Sequence, residues 1–106
     1  MGIDQSVIDD IIRRVLGVAK PERIILFGSA AAGTMTRDSD IDLLVLEEAP
    51  ESPRKEVDRI RQALRGMGYP FDVIVMPTVR FEESKDVIGG IAFPANKYGK
   101  VIYSAS

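Results

Sequence analysis

Cysteine and histidine are both absent from the 106-residue sequence. Without cysteine the chain forms no disulfide, and without either residue it lacks the thiolate and imidazole ligands of structural zinc sites. Histidine-based acid–base catalysis is excluded for the same reason. Any chemistry must therefore come from carboxylates, hydroxyls, basic side chains and backbone groups.

A strong charge of one sign and a long apolar run are also missing. The formal net charge is −2, which argues against direct nucleic-acid binding, because dedicated nucleic-acid binders are usually basic. No apolar stretch approaches the roughly 20 residues of a membrane span, and the N-terminus lacks the pattern of a signal peptide. We therefore expect a cytoplasmic protein that folds as a single domain over residues 1–106.

The clearest pattern for a functional site begins where an apolar strand leads into Gly28 and Ser29. Glycine and serine at the end of a buried strand suit close approach of a phosphate to the backbone. A polar loop follows, and Asp40 and Asp42 then open a second apolar run. Side chains two residues apart on a strand share a face, so these carboxylates repel each other unless a cation lies between them. Hard oxygen ligands of this kind suit Mg²⁺, which commonly binds together with substrate phosphates.

This stretch resembles the nucleotidyltransferase superfamily that includes DNA polymerase beta, and specifically its minimal nucleotidyltransferase (MNT) branch. The family pattern is Gly-Ser, ten residues, and Asp-x-Asp; here it is Gly28-Ser29, residues 30–39, and Asp40-Ile41-Asp42. The family's third carboxylate lies on a later strand, where Asp72 fits. The resemblance covers most of the chain, although only the Gly-Ser and Asp positions are specific.

The resemblance implies a Mg²⁺-dependent nucleotidyltransferase that moves a nucleoside monophosphate, AMP from ATP, to an acceptor hydroxyl. It also implies two Mg²⁺ ions, with the same carboxylates serving as metal ligands and catalytic residues. Those residues are Asp40, Asp42 and Asp72. The residues implied for nucleotide binding are Gly28, Ser29 and Ser39.

The expected partner is a second protein that presents the acceptor, because this chain has no room for the acceptor-holding domain of larger relatives. MNT proteins often pair with small helical HEPN proteins as antitoxin and toxin, so the resemblance implies a HEPN-like acceptor and an antitoxin role. Two alternatives stay open: a non-catalytic nucleotide-binding antitoxin, and a small-molecule nucleotidyltransferase of the aminoglycoside type. The oligomeric state also stays open.

One departure from the family concerns the arginines that many MNT sequences carry in a Gly-Ser-Arg-x-Arg-Gly pattern. The segment here is Ala30-Ala31-Ala32-Gly33, so the positive charge that would meet a triphosphate is lost. This loss favours the non-catalytic alternative. The basic residues that are candidates to replace the charge are Arg37, Lys97 and Lys100.

The expected fold class is α/β (α+β), the polymerase beta-like nucleotidyltransferase fold. It should contain a small mixed sheet of about four strands, with helices mainly on one face and the three acids converging at one end close enough to share metal ions. Apolar alternation predicts the strands, and helical spacing with capping residues predicts the helices. The predicted strands are 23–27, 41–46, 71–76 and 101–103. The predicted helices are 4–16, 30–32, 53–67 and 81–91, with loops over 47–52 and 94–100.

A basic flank stands out on the predicted helix 53–67. Arg54, Arg61 and Arg65 share this flank with Asp58. Two interpretations stay open: a face that is simply solvated, or a surface that meets an acidic partner.

Overall fold

The computed structural model describes residues 3–36 and 38–105, which form four strands and five helices. The strands are β1 (Arg23–Phe27), β2 (Ile41–Glu47), β3 (Phe71–Pro77) and β4 (Lys100–Ser104). The helices are α1 (Gln5–Leu16), α2 (Ser29–Ala32), α3 (Pro53–Ala63), α4 (Thr78–Ser84) and α5 (Ala92–Tyr98). The sheet has the order β3-β2-β1-β4, with β1 antiparallel to both neighbours and β2 parallel to β3. The predicted mixed sheet is confirmed.

The two longest helices, α1 and α3, cover one face of the sheet. Each has an apolar stripe at helical spacing, and Ile11, Val15 and Ile60 are fully buried there. Helix α3 begins as predicted: the Ser52 hydroxyl accepts a hydrogen bond from the Lys55 N–H, and a proline follows at the first helical position. The strand residues that pack against these helices are Ile24, Leu26, Ile41, Leu43, Val45, Val73 and Val75.

The two short helices α4 and α5 cover part of the opposite face. Phe81 of α4 is almost fully buried, and Ala92 and Ala95 bring α5 close to the sheet. Because side chains alternate along β2, the residues at 42, 44 and 46 share this face. The strand residues in this second cluster are Ile25, Phe27, Leu44 and Leu46.

Three of the predicted helix and loop boundaries were wrong. The helix predicted over 81–91 is α4, which ends at Ser84, and Val87 and Ile88 are exposed by 62% and 83%. The loop predicted over 94–100 is mostly helix α5, because Pro94 lies in its first turn, where a missing N–H is tolerated. Helix α3 ends at Ala63 rather than near residue 67. None of the helices in the described ranges is long and apolar enough to cross a membrane.

Glu47 was also placed wrongly, at the start of an acidic loop. It is the last residue of β2 and lies on the same face as Val45, toward α1 and α3. Its side chain is only 8% exposed, and among the described residues its Oε2 atom has no hydrogen-bond partner. A buried carboxylate of this kind makes the stability of the fold depend on pH.

Candidate active site at one end of the sheet

Two of the predicted acids lie side by side on neighbouring strands. Asp42 of β2 pairs in register with Asp72 of β3, and the strands are parallel. Registered side chains on adjacent strands share a face, and the strands are about 4.8 Å apart. Asp42 is partly buried, whereas Asp72 is exposed at the edge strand. The structure therefore brings these two carboxylates together at one end of the sheet.

Asp40 lies one residue before β2 and is exposed. The adjacent Ile41 N–H donates a hydrogen bond to the Pro70 carbonyl, which ties the beginning of β2 to the segment before β3. Burial raises the pKa of Asp42 above its usual range, and the negative charges of Asp72 and Asp40 raise it further. The three acids thus form one electrostatic cluster with unfavourable mutual repulsion.

The donor chemistry of this cluster fits a hard divalent cation, because its oxygen atoms repel one another and a cation would relieve that repulsion. We expected the three carboxylates to lie close enough to share metal ions, and the structure does not place them that closely. Within residues 3–36 and 38–105, no group of three acidic side chains is assembled closely enough to hold a metal ion. Asp42 and Asp72 are fixed in register by two strands, whereas Asp40 lies one residue outside the ladder and its charge raises the pKa of Asp42.

Gly28 brings the backbone of the turn after β1 against one of these acids. Its neighbour Phe27 pairs with Asp42 across the β1–β2 ladder. A Cβ atom added to Gly28 would collide with the Oδ2 atom of Asp42, so a residue with a side chain would force that carboxylate to move. The Gly28 φ of 71° and ψ of −150° are also rarely adopted by residues with a side chain. The Gly-Ser corner and the acid cluster are therefore parts of one packed unit.

The short helix α2 follows this corner directly. It runs from Ser29 to Ala32, which confirms the helical turn that we predicted over 30–32. The Ala32 N–H donates a hydrogen bond to the Gly28 carbonyl, and the Gly33 and Thr34 N–H groups donate to the Ser29 carbonyl. Gly33 ends it with a φ of 75°, in the left-handed region that glycine favours. The structure thus holds Ser29 in the first turn beside the acids.

Ser39 closes the loop that precedes the acids. Its hydroxyl accepts a hydrogen bond from the Thr36 N–H at 2.9 Å and lies 3.0 Å from the Thr36 hydroxyl. Its own N–H donates to the Thr36 carbonyl. These contacts give Ser39 a structural role in shaping the loop before Asp40. Its contact with a nucleotide stays a prediction.

The three basic candidates for the missing arginines differ in their position. Lys100 pairs with Leu26, whose side chain points toward α1 and α3, so Lys100 lies on the face opposite Asp42. Lys97 lies in the last turn of α5, on the same face as Asp42, with its Nζ atom 5.6 Å from the Phe93 ring centroid. Arg37 lies outside the described residues. Lys97 is therefore the candidate whose element shares the face of the acids.

Sequence reasoning did not find the contact between Gly28 and Asp42. The residues are separated by a loop and meet only because β1 and β2 are antiparallel. The signal that was available is the glycine itself at the end of a buried strand, which we interpreted as room for a phosphate. The structure shows that the same position also makes room for a carboxylate.

Comparison with known families and structures agrees with this geometry. The sequence profile of the nucleotidyltransferase domain family matches residues 8–94. No curated protein sequence matches the chain. The chain is similar in structure to one from a toxin–antitoxin complex crystallised with AMP-PNP, with a TM-score of 0.69 and 20% identity over 92% of this chain and 73% of the other.

Two further structures have the same fold. One is a chain from the complex of a tri-AMPylated Shewanella oneidensis HEPN toxin with its MNT antitoxin, with a TM-score of 0.64, 17% identity, and coverage of 97% of this chain and 74% of that chain. The other is a Sulfolobus solfataricus protein described as a nucleotidyltransferase, with a TM-score of 0.54 and 21% identity over 98% of this chain and 92% of the other. At these identities the likeness concerns the fold.

Proposed function

This chain belongs to the nucleotidyltransferase domain family, and from that premise we propose that it transfers AMP from ATP to a hydroxyl group on a partner protein. We further propose that the partner is a HEPN-like toxin and that this protein is its antitoxin. The observation that carries the proposal is the pairing of Asp42 with Asp72 beside the Gly28 turn. The similarity to chains from toxin–antitoxin complexes, one with AMP-PNP and one with an AMPylated HEPN toxin, supports the choice of nucleotide and partner.

In this proposal, Asp40, Asp42 and Asp72 would hold two Mg²⁺ ions together with the triphosphate, and the bound ions would draw Asp40 toward the other two acids. Bound Mg²⁺ would neutralise phosphate charge and polarise the acceptor oxygen. The Gly28 and Ser29 N–H groups, with the Ser29 hydroxyl, bind the outer phosphates. Gly28 can do so because it carries no side chain between its backbone and the site.

The reaction is a displacement at the α-phosphorus of ATP. The acceptor hydroxyl oxygen forms a bond to that phosphorus, and the bond to the bridging oxygen of the β-phosphate breaks. Pyrophosphate leaves with the electron pair, and the acceptor proton passes to the exposed carboxylate of Asp72. Docking of the partner contributes by proximity, because a well-oriented hydroxyl behaves as an intramolecular nucleophile, which is worth up to ~7–11 kcal/mol of the barrier.

A second candidate function is that of a non-catalytic antitoxin that binds nucleotide. The observation that favours it is the alanine run of α2, Ser29-Ala30-Ala31-Ala32, which supplies no positive charge beside the corner. Such a protein would bind its toxin by contact alone. The two candidates differ in whether the toxin gains mass.

The test combines the chain with a HEPN-like protein from its own organism, ATP and Mg²⁺, and measures the intact masses. We expect a stable complex and a gain of one AMP unit, or a multiple of it, on a hydroxyl of the partner. Asp72→Asn should abolish the transfer and leave the complex intact, while Asp86→Asn, an exposed aspartate between α4 and α5, should change neither.

The outcomes separate the candidate functions. A complex with no gain in mass would support the non-catalytic antitoxin and refute AMP transfer. AMP appearing on free aminoglycosides, with no partner protein present, would replace the antitoxin with a small-molecule enzyme. Full transfer by the Asp72→Asn variant would show that the acid cluster is not the active site.

A further inference from the structure

An open cavity of about 450 Å³ lies at the edge strand β3, on the face of the sheet that α3 covers. We call it the basic groove. Its walls come from the end of α3 and from the segment that leads into β3. The residues that line it include Asp58, Arg61, Arg65, Tyr69, Pro70 and Phe71.

The two arginines of the basic groove have no acidic partner. Four other arginines pair with a carboxylate, among them Arg14 with Asp10 and Arg59 with Glu56. Across the described ranges, by contrast, no carboxylate lies within ion-pairing distance of Arg61 or Arg65. Both side chains are exposed, and a single acid faces them from the wall. The groove is therefore a locally positive surface on a chain of net charge −2.

The groove reaches the residue next to Asp72, although Phe71 faces α3 and Asp72 lies on the other face of the edge strand. Tyr69, Pro70 and Phe71 form its wall, and Asp72 follows them directly. The Pro70 carbonyl accepts the Ile41 N–H, so the same wall adjoins the beginning of β2. The Gly28 turn follows β1, which lies on the far side of β2 from β3. The arginines thus lie at the β3 edge of the sheet, around which a bound segment can reach Asp72, and away from the Gly28 turn where the phosphates of the nucleotide are proposed.

We propose that the basic groove docks an acidic segment of the acceptor protein, with carboxylates of that segment paired to Arg61 and Arg65. The inference rests on the proposed function and specifies its acceptor: the receiving hydroxyl is flanked by acidic residues. Guanidinium groups bind carboxylates through paired, charge-assisted hydrogen bonds. Tyr69, which is 38% exposed, adds a hydroxyl and an aromatic surface at the same place. The arginines also offset the repulsion that an acidic segment would meet from the acid cluster.

The test uses two synthetic peptides, one with a tyrosine flanked by glutamates and one in which glutamines replace those glutamates. Binding to the intact chain is measured by calorimetric titration, and AMP transfer by mass in the presence of ATP and Mg²⁺. The groove variant carries Arg61→Glu and Arg65→Glu. The matched control carries Arg54→Glu and Lys55→Glu, the same change of charge at the other end of α3. Should the groove variant fail to fold, Arg61→Gln with Arg65→Gln replaces it.

We expect the acidic peptide to bind about tenfold more tightly than the neutral peptide, a preference that should shrink at about 0.5 M NaCl. The groove variant should lose this preference, and the control should keep it. Binding of ATP should be the same in both variants. Equal binding of the two peptides, or an equal loss of preference in the control, would overturn the inference.

The same experiment separates this inference from the proposed function. Selective binding of the acidic peptide would support the groove whether or not the peptide gains AMP, because the transferase is tested separately with the intact partner protein. Equal AMP transfer to both peptides would support the transferase and refute the groove.

Discussion

Replacing Glu47 by glutamine should remove a pH-dependent loss of stability. Glu47 ends β2 with its side chain 8% exposed and its Oε2 atom unpartnered among the described residues. Burial raises the pKa of Glu47 from 4.5 to about 7, and the hydrogen bond to Glu56 and the charge of Glu56 add to this increase. Arg59 opposes it, because its positive charge favours the ionised form.

The sign of the effect follows from proton binding. Between pH 4.5 and 7 the folded chain holds a proton on Glu47 that the unfolded chain has lost, so the free energy of unfolding falls as the pH rises. At about 1.4 kcal/mol for each pKa unit, the loss from Glu47 reaches about 3 kcal/mol at pH 8. Only part of it, about 1 kcal/mol or less, is present at pH 5. This loss in the free energy of unfolding is therefore close to zero below pH 4.5 and complete above pH 7.

The variant Glu47→Gln keeps the shape of the side chain and is neutral at every pH. Its advantage over the parent in urea denaturation should rise from about 1 kcal/mol or less at pH 5 to about 3 kcal/mol at pH 8. Glu48→Gln is the matched control, because Glu48 is the next residue and is exposed. We expect that variant to follow the parent at both pH values.

One result would refute this reasoning. If Glu47→Gln and the parent differ by the same amount at pH 5 and pH 8, then Glu47 does not gain a proton on folding. A Glu48→Gln variant that reproduces the effect would show that the loss of net charge, and not the burial of Glu47, is responsible.

Three further predictions concern the site. Millimolar Mg²⁺ with ATP should stabilise the parent by about 2.7 kcal/mol at a hundredfold excess over Kd. Asp42→Asn should gain less from Mg²⁺ and ATP, but without metal its melting temperature should be higher than that of the parent. If Mg²⁺ and ATP stabilise the variant as much as the parent, a metal–nucleotide site at Asp42 is excluded. Gly28→Ala should lower the free energy of unfolding by about 2 kcal/mol or more, because the added Cβ meets Asp42. Gly33→Ala, with open space around its Cβ, should lower it by about 1 kcal/mol. Equal losses of the two variants in thermal melts would contradict the contact between Gly28 and Asp42. Lys97→Gln should weaken ATP binding in calorimetry and Lys100→Gln should not, since only Lys97 lies on an element that shares the face of Asp42.

The strands could be predicted from the sequence, because alternation is local information. Asp42 and Leu44 were expected on one face, and that is where they lie. The pairing of Asp42 with Asp72 depended on which strands became neighbours, and the sequence left that choice to the family resemblance. Glu47 continues the alternation of β2, so its burial could have been predicted by extending the strand one residue further.

The segment after β3 could not be predicted in the same way. Val87 and Ile88 are apolar and follow the predicted helix at suitable spacing, yet both are exposed. The two glycines after them, Gly89 and Gly90, have φ values of 125°, which no helix contains. Pro94 suggested a loop, because its position in a first turn becomes visible only when the beginning of the helix is known. In the first case two glycines break the helical pattern, and in the second the beginning of the helix decides how the proline is accommodated.

The contact between Gly28 and the Asp42 carboxylate would have a thermodynamic consequence for the two ligands proposed for this site, a cation and a nucleotide. A cation held by Asp42 fixes the carboxylate against which the turn is packed, and a phosphate held by the turn fixes the backbone against which the carboxylate is packed. The two ligands therefore share a coupling free energy, and linkage requires it to be reciprocal. The factor by which a bound cation raises the affinity for the nucleotide equals the factor by which bound nucleotide raises the affinity for the cation.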